Sequence, residues 1–114
     1  MPIFLFVIPS AEHLEKTHRP FLKTILKAHP GLPIVFMSKP NPDLDGEGSL
    51  RREIIQETWE WAREQDHSTA FLDGRRLLGE DARDCCTVDG VHPTVLGFYR
   101  MAQQVSEAVR ELGT

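Results

Sequence analysis

The chain reads as an α/β protein, a parallel sheet sandwiched by helices, in one domain over residues 1–114. Three observations point there. Short apolar runs rich in branched and aromatic residues recur at Ile3 to Ile8, Pro33 to Met37 and Ser68 to Leu72. Each is followed by a stretch with apolar residues at helical spacing, and Pro, Gly and Asn punctuate the joins. Strand and helix alternating in this way imply right-handed crossovers and parallel strands. With 114 residues, 40% hydrophobic and 26% charged, the chain suits a single modest core.

Ile3 to Ile8 is a continuous apolar run, the pattern of a strand covered on both faces. It lacks a charged leader and is far too short to cross a bilayer, so it reads as a strand rather than a signal peptide or anchor. Ser10 is placed to cap the first helix, whose apolar stripe is Leu14, Phe21, Leu22, Ile25 and Leu26, and Pro20 should kink it or split off its first turn. His29-Pro30-Gly31 stops that helix, and Pro33 to Met37 forms the second strand. Lys39 to Gly48 is an irregular loop. Ser49 can cap a second helix to about Gln65, with Ile54, Ile55, Thr58, Trp59 and Ala62 inward. Ser68 to Leu72 is the third strand, and Asp73 to Gly90 is loop, with a turn around Arg75 to Leu78. Pro93 or Thr94 opens the last helix, whose Val95, Phe98, Ala102, Val105 and Val109 should face the core.

A net charge of -4 leaves no basic footprint for a nucleic-acid backbone. The expected partners are small molecules or protein, with no nucleic acid and no membrane. Cys85 and Cys86 are adjacent, and a disulfide between neighbours closes a strained ring, so both are expected as reduced thiols in a cytoplasmic setting. A thiol nucleophile or zinc site there lacks a second ligand pair at metal-finger spacing. Asn41, Asp43, Asp45 and Gly46 match the opening of a calcium loop, but Arg52 stands where the closing Glu belongs, so a solvated turn is the better reading. His13 and His18 are five apart, off the spacing of a helical metal pair, and read as solvated surface. Trp59 and Trp61 cannot both face inward, which leaves one for a contact surface. No metal and no cofactor is expected.

The chemistry concentrates in Val88-Asp89-Gly90-Val91-His92-Pro93. Asp89 and His92 lie three apart in a turn punctuated by Gly and Pro, so the carboxylate can reach one imidazole nitrogen while the other faces a cleft. That is the His-orienting part of a hydrolytic triad, with Asp89 holding the tautomer and His92 as general base. The structural alternative is a turn in which Asp89 accepts backbone N–H groups and His92 merely packs. In a parallel α/β sheet the site lies at the carboxyl ends of the strands, which puts Ser10, Ser38, Asp73 and the Asp89/His92 turn along one rim. Ser10 and Ser38 read as structural hydroxyls, since neither sits on a small-residue elbow.

Asp89-Gly90-Val91-His92-Pro93 before a C-terminal helix resembles the last sequence block of the SGNH hydrolases, the GDSL-like esterases and acylhydrolases. Ile8-Pro9, Arg19-Pro20-Phe21, Ala28-His29-Pro30, Pro33-Ile34-Val35, Phe71-Leu72-Asp73-Gly74 and Thr87-Val88 extend the likeness in order, as one branch of that family read from its third strand to its end. The resemblance implies a flavodoxin-like three-layer α/β/α sandwich, truncated to about three strands. It implies ester hydrolysis, with Asp89 and His92 as the acid and base of a Ser-His-Asp triad. The family's Gly-Asp-Ser nucleophile block is missing, its oxyanion-hole Gly and Asn blocks are not recognisable, and Ser10 stands where this branch carries Asn. An oxyanion donor contributes about 2.7 to 4 kcal/mol, so the chain should be inactive alone. The alternative is a non-catalytic binding or assembly module. Losing the first two strands would bare the edge of the Ile3 to Ile8 strand, which predicts a homodimer through it or its covering helices, or pairing with the missing N-terminal segment.

Overall fold

The computed structural model describes residues 10–113; the predicted Ile3 to Ile8 strand lies outside them. In chain order the elements are α1 (Ala11–Ala28), β1 (Ile34–Met37), a 3-10 turn (Pro42–Leu44), α2 (Gly46–Glu64), β2 (Thr69–Leu72), a second 3-10 turn (Arg83–Cys85) and α3 (Val95–Glu111). β1 and β2 pair in parallel, Ile34 opposite Thr69 and Phe36 opposite Phe71. The α/β class and two of the three predicted strands are therefore present, each strand one residue shorter at its start than its apolar run.

Side chains alternate along a strand, so Ile34, Phe36, Thr69 and Phe71 share one face. There Leu22 and Leu26 of α1, Phe36 of β1 and Ala62 of α2 form the buried core, with Ile55, Trp59, Trp61 and Phe71 packed around it. Each of the large apolar side chains contributes about 1.5 to 3 kcal/mol by leaving water. The opposite face, with Val35, Met37, Ala70 and Leu72, is left to α3, which touches both strands. The result is a three-layer arrangement.

α1 begins where Ser10 accepts the His13 N–H at 3.2 Å, the cap that the sequence predicts. It then runs unbroken through Pro20, so no first turn is split off. Proline costs about 3 kcal/mol inside a helix, and the cap together with burial of Leu22 and Leu26 two and six residues later offsets it. α2 starts four residues earlier than predicted, because Asp45 rather than Ser49 caps it by accepting the Gly48 N–H. Ser49 instead donates to Asp43 at 2.8 Å.

Trp59 and Trp61 leave α2 on opposite flanks and both are half-buried. Trp59 stacks on Phe71 with ring centres 5.4 Å apart and carries Arg63 on its other side, while Trp61 lies under Arg19 and Lys23. Cations cover the flank that water would otherwise meet. His18 also departs from expectation. It is half-buried at the joint of α1 and α2, its Nδ1 2.9 Å from the Thr58 hydroxyl. Thr58 spends its own proton on the Ile54 carbonyl, so it accepts from a His18 Nδ1–H.

α3 differs most from the sequence reading. Val95, Phe98 and Ala102 are exposed, Val109 is largely so, and Val105 is half-buried. The inward side carries Gly97 and Ala108, with Arg100, Met101 and Gln104 partly covered. The helix is thus turned by about one residue, or 100°, from the orientation that its apolar stripe predicts. Two contacts hold it there. Gly97 lies so close to the Cys86 carbonyl that a Cβ would collide with it, and Arg100 reaches across to the carbonyls of Leu78 and Asp81 at 2.7 and 2.6 Å. Among the described residues no helix is long and apolar enough to cross a membrane.

Burial lowers the His18 pKa below its ordinary value, so the unfolded chain takes up a proton before the folded one does. Stability should be complete above the ordinary imidazole range and fall as pH drops through it. Denaturant midpoints measured across mildly acidic pH check this: His18→Gln should flatten the slope, and an unchanged slope would exclude His18 as its source.

Candidate active site

The rim at the carboxyl ends of β1 and β2 is built by hydrogen bonds that cross from loop to loop. Ser38 ends β1 fully buried, and its hydroxyl accepts the Gly74 N–H at 2.7 Å just beyond β2. Asn41 follows in the left-handed region, with φ 52°, which Asn tolerates better than most residues. Its N–H meets the Gly74 carbonyl at 3.4 Å, and its side-chain Nδ2 donates to the Gly90 carbonyl at 2.8 Å. Its Oδ1 accepts twice from Arg83, at 3.1 and 2.6 Å. One carboxamide therefore ties the first strand's loop to the Asp89/His92 turn.

That turn is closed on itself. The Val88 N–H bonds the His92 carbonyl at 2.9 Å, Gly90 N–H bonds the Thr87 hydroxyl at 2.9 Å, and Thr94 N–H bonds the Cys86 carbonyl at 2.8 Å. Gly90 has φ 89°, a conformation that strains any residue with a Cβ. Thr94 then caps α3 through the Gly97 N–H. The loop and the helix that follows it are thus seated together.

Within the turn, Asp89 Oδ2 lies 2.6 Å from His92 Nδ1, while Oδ1 accepts the N–H groups of Val91 and His92 at 2.9 and 2.8 Å. The backbone N–H and ring of His92, then the Val91 N–H, hold the Asp89 carboxyl well below the usual carboxylate range. An ionised carboxylate only accepts, so the proton of the pair sits on His92 Nδ1, which leaves Nε2 outside the contact with Asp89. Asp89 thus makes the Asx-type backbone bonds of the structural alternative and contacts the imidazole as well, while His92 does not pack. The side chains are 77% exposed for His92 and 50% for Asp89, so the pair stands open to solvent.

The other candidate residues serve the scaffold. Asp73 forms a bidentate pair with Arg52 at 2.8 and 2.6 Å, and Arg52 is the residue that breaks the calcium-loop pattern. The Arg52 guanidinium pulls the Asp73 pKa down, and Asp73 in turn raises that of Arg52. Asp43 of the same loop pairs with Arg75 at 2.6 Å, and its pKa falls to about 2 through that bond and the Ser49 hydroxyl. No cluster of three metal-ligating side chains forms among the described residues. Cys86 is buried with its thiol 3.6 Å from the Leu78 and Ala82 carbonyls, and Cys85 is exposed; both are free thiols. A groove of about 380 Å³ along β2 is lined by Arg52, Trp59, Phe71 and Arg76, among others, and includes neither Asp89 nor His92.

Asn41 and Arg83 are the rim residues that sequence reasoning missed. The available signal was an Asn between two prolines, which favours a left-handed turn. Its partner, Gly90, lies 49 residues away, a distance over which no pattern speaks.

No protein-family model and no curated protein matches the chain. Several solved structures resemble it, including the following two. A candidate GDSL-like lipase from Bacteroides ovatus aligns with 26% identity over 91% of this chain at a TM-score of 0.73. A salicylyl-acyltransferase from a tetracycline biosynthetic pathway aligns with 21% identity over 91% at 0.69, a likeness of fold. The chain spans a third of each neighbour's length, 33% in both cases.

Two substitutions test the rim. Asn41→Ala should cost about 1 to 3 kcal/mol by stranding Arg83 and the Gly90 carbonyl, and should speed amide exchange at Val88 and Gly90 selectively. Uniform exchange changes would show that the turn holds without it. Asp73→Ala leaves Arg52 with a largely covered, unpaired charge and should cost about 3 kcal/mol in denaturant unfolding; a loss near zero would mean that water replaces the carboxylate. The chain has the α/β fold of part of a GDSL-like lipase, of which it spans a third.

Proposed function

We propose that this chain carries the acid–base part of an SGNH-type ester hydrolase site, with His92 as general base and acid and Asp89 as its orienter. The observation that supports it is the 2.6 Å contact from Asp89 Oδ2 to His92 Nδ1, made by a carboxylate held ionised by two backbone N–H groups. His92 Nε2 would take the proton of a serine hydroxyl as that oxygen bonds to the ester carbonyl carbon, and would return it to the departing alcohol oxygen. Water, deprotonated by the same nitrogen, would then release the acid. The substrate class is a small-molecule acyl or acetyl ester.

The nucleophile would come from polypeptide outside residues 10–113. Ser10 is engaged as a helix cap and Ser38 is buried on Gly74, so both hydroxyls already have structural work. The same facts favour a second reading, a binding or assembly module that retains the dyad without turnover. An oxyanion-hole donor and a nucleophile each carry orders of magnitude in rate, so the chain alone should hydrolyse an activated short-chain ester close to the buffer rate. Residual activity should vanish in His92→Ala and persist in Ser10→Ala. A stoichiometric acyl-enzyme burst abolished by Ser10→Ala or Ser38→Ala would overturn the assignment of the nucleophile to other residues. Nitrogen NMR should show His92 protonated at Nδ1, shifting toward Nε2 in Asp89→Asn; an unmoved spectrum would remove Asp89 from its orienting role.

A further inference from the structure

The outward side of α3 combines a ridge and a hollow. Val95, Phe98 and Tyr99 are 87%, 60% and 60% exposed in its first half. Along its second half runs a hollow of about 350 Å³, lined by Tyr99, Ala102, Gln103, Ser106, Glu107 and Arg110. Val95, Phe98, Ala102 and Val105 follow a three-then-four spacing, which is the seam by which one helix packs along another. A seam of this kind is normally dry, yet here Gly97 and Arg100 direct the opposite side of the helix to the sheet.

We propose that a second copy of this chain covers the seam, with the two α3 helices antiparallel across a two-fold axis near Ala102. Antiparallel pairing brings the Val95 and Phe98 ridge of each copy onto the hollow of the other, the reciprocal contact that a two-fold interface requires. Ala102 falls between ridge and hollow, where two backbones approach most closely, and its small side chain leaves them room. Opposed helix dipoles favour the same direction. Large aromatic side chains bury about 150 to 250 Å² each, so the exposed parts of Val95, Phe98, Tyr99 and Ala102, with the polar residues beside them, come to roughly 500 Å² per copy. Two copies then remove about 1,000 Å², the lower limit for a specific interface and a size suited to a dimer of micromolar affinity. Val95 follows His92 by three residues, so this second copy stands beside the dyad.

Sedimentation of the whole chain across micromolar concentrations should show a reversible monomer–dimer equilibrium. Phe98→Glu should weaken it at least about tenfold, with Tyr99→Arg acting in the same direction, while the far-ultraviolet dichroism stays unchanged because neither side chain supports the core. In a Cys85→Ser background, Ala102→Cys should oxidise to a covalent dimer, since a residue on the axis meets its own copy. A monomer at every concentration overturns the proposal, whether a cysteine at position 98 labels quickly, leaving the seam wet, or slowly, showing that the chain's own residues cover it. A dimer indifferent to Phe98→Glu that does not cross-link at position 102 also overturns it. None of these measurements reads ester hydrolysis, so the dimer and the proposed activity stand or fall separately.

Discussion

The rim of this molecule depends on one buried hydroxyl. Ser38 accepts the Gly74 N–H where β1 and β2 end, and so joins the two loops that leave the sheet. Buried away from water, that N–H would otherwise cost about 1 to 3 kcal/mol unpaired. With the strand ends held, Asn41 falls within reach of both Gly74 and Gly90. The Asp89/His92 turn inherits its position from this sequence of bonds rather than from its own residues alone.

Charge is used here mainly to hold loops. Arg52 with Asp73, Arg75 with Asp43 and Arg83 with Asn41 each join segments more than twenty residues apart. Bidentate guanidinium contacts fix direction as well as distance, which suits irregular segments that lack a backbone ladder. The exposed pair adds little to stability, whereas the Arg52–Asp73 pair, only 11% and 20% exposed, is costly to break on either side. Among the described residues, Asp89 is the carboxylate paired with an imidazole, and it is held by backbone as much as by ring.

α3 shows how a local close approach can override a hydrophobic pattern. A valine or phenylalanine stripe at helical spacing expresses a general preference for any dry surface. Gly97 against the Cys86 carbonyl and Arg100 on the Leu78 and Asp81 carbonyls are specific and directional, and they choose which side of the helix meets the sheet. The stripe is then free to serve contacts beyond the fold.

By itself the sequence determined the α/β class, the ends of β1 and β2, the Ser10 cap and the Asp89/His92 pairing, because each rests on residues within one turn or one periodic run. Only the tertiary structure decided that Asn41 steers the turn, that Asp45 rather than Ser49 starts α2, that His18 is sheltered by Thr58, and that α3 presents its apolar stripe outward. These depend on contacts between residues far apart in the chain, where several partners are chemically acceptable and the packing of the whole selects one.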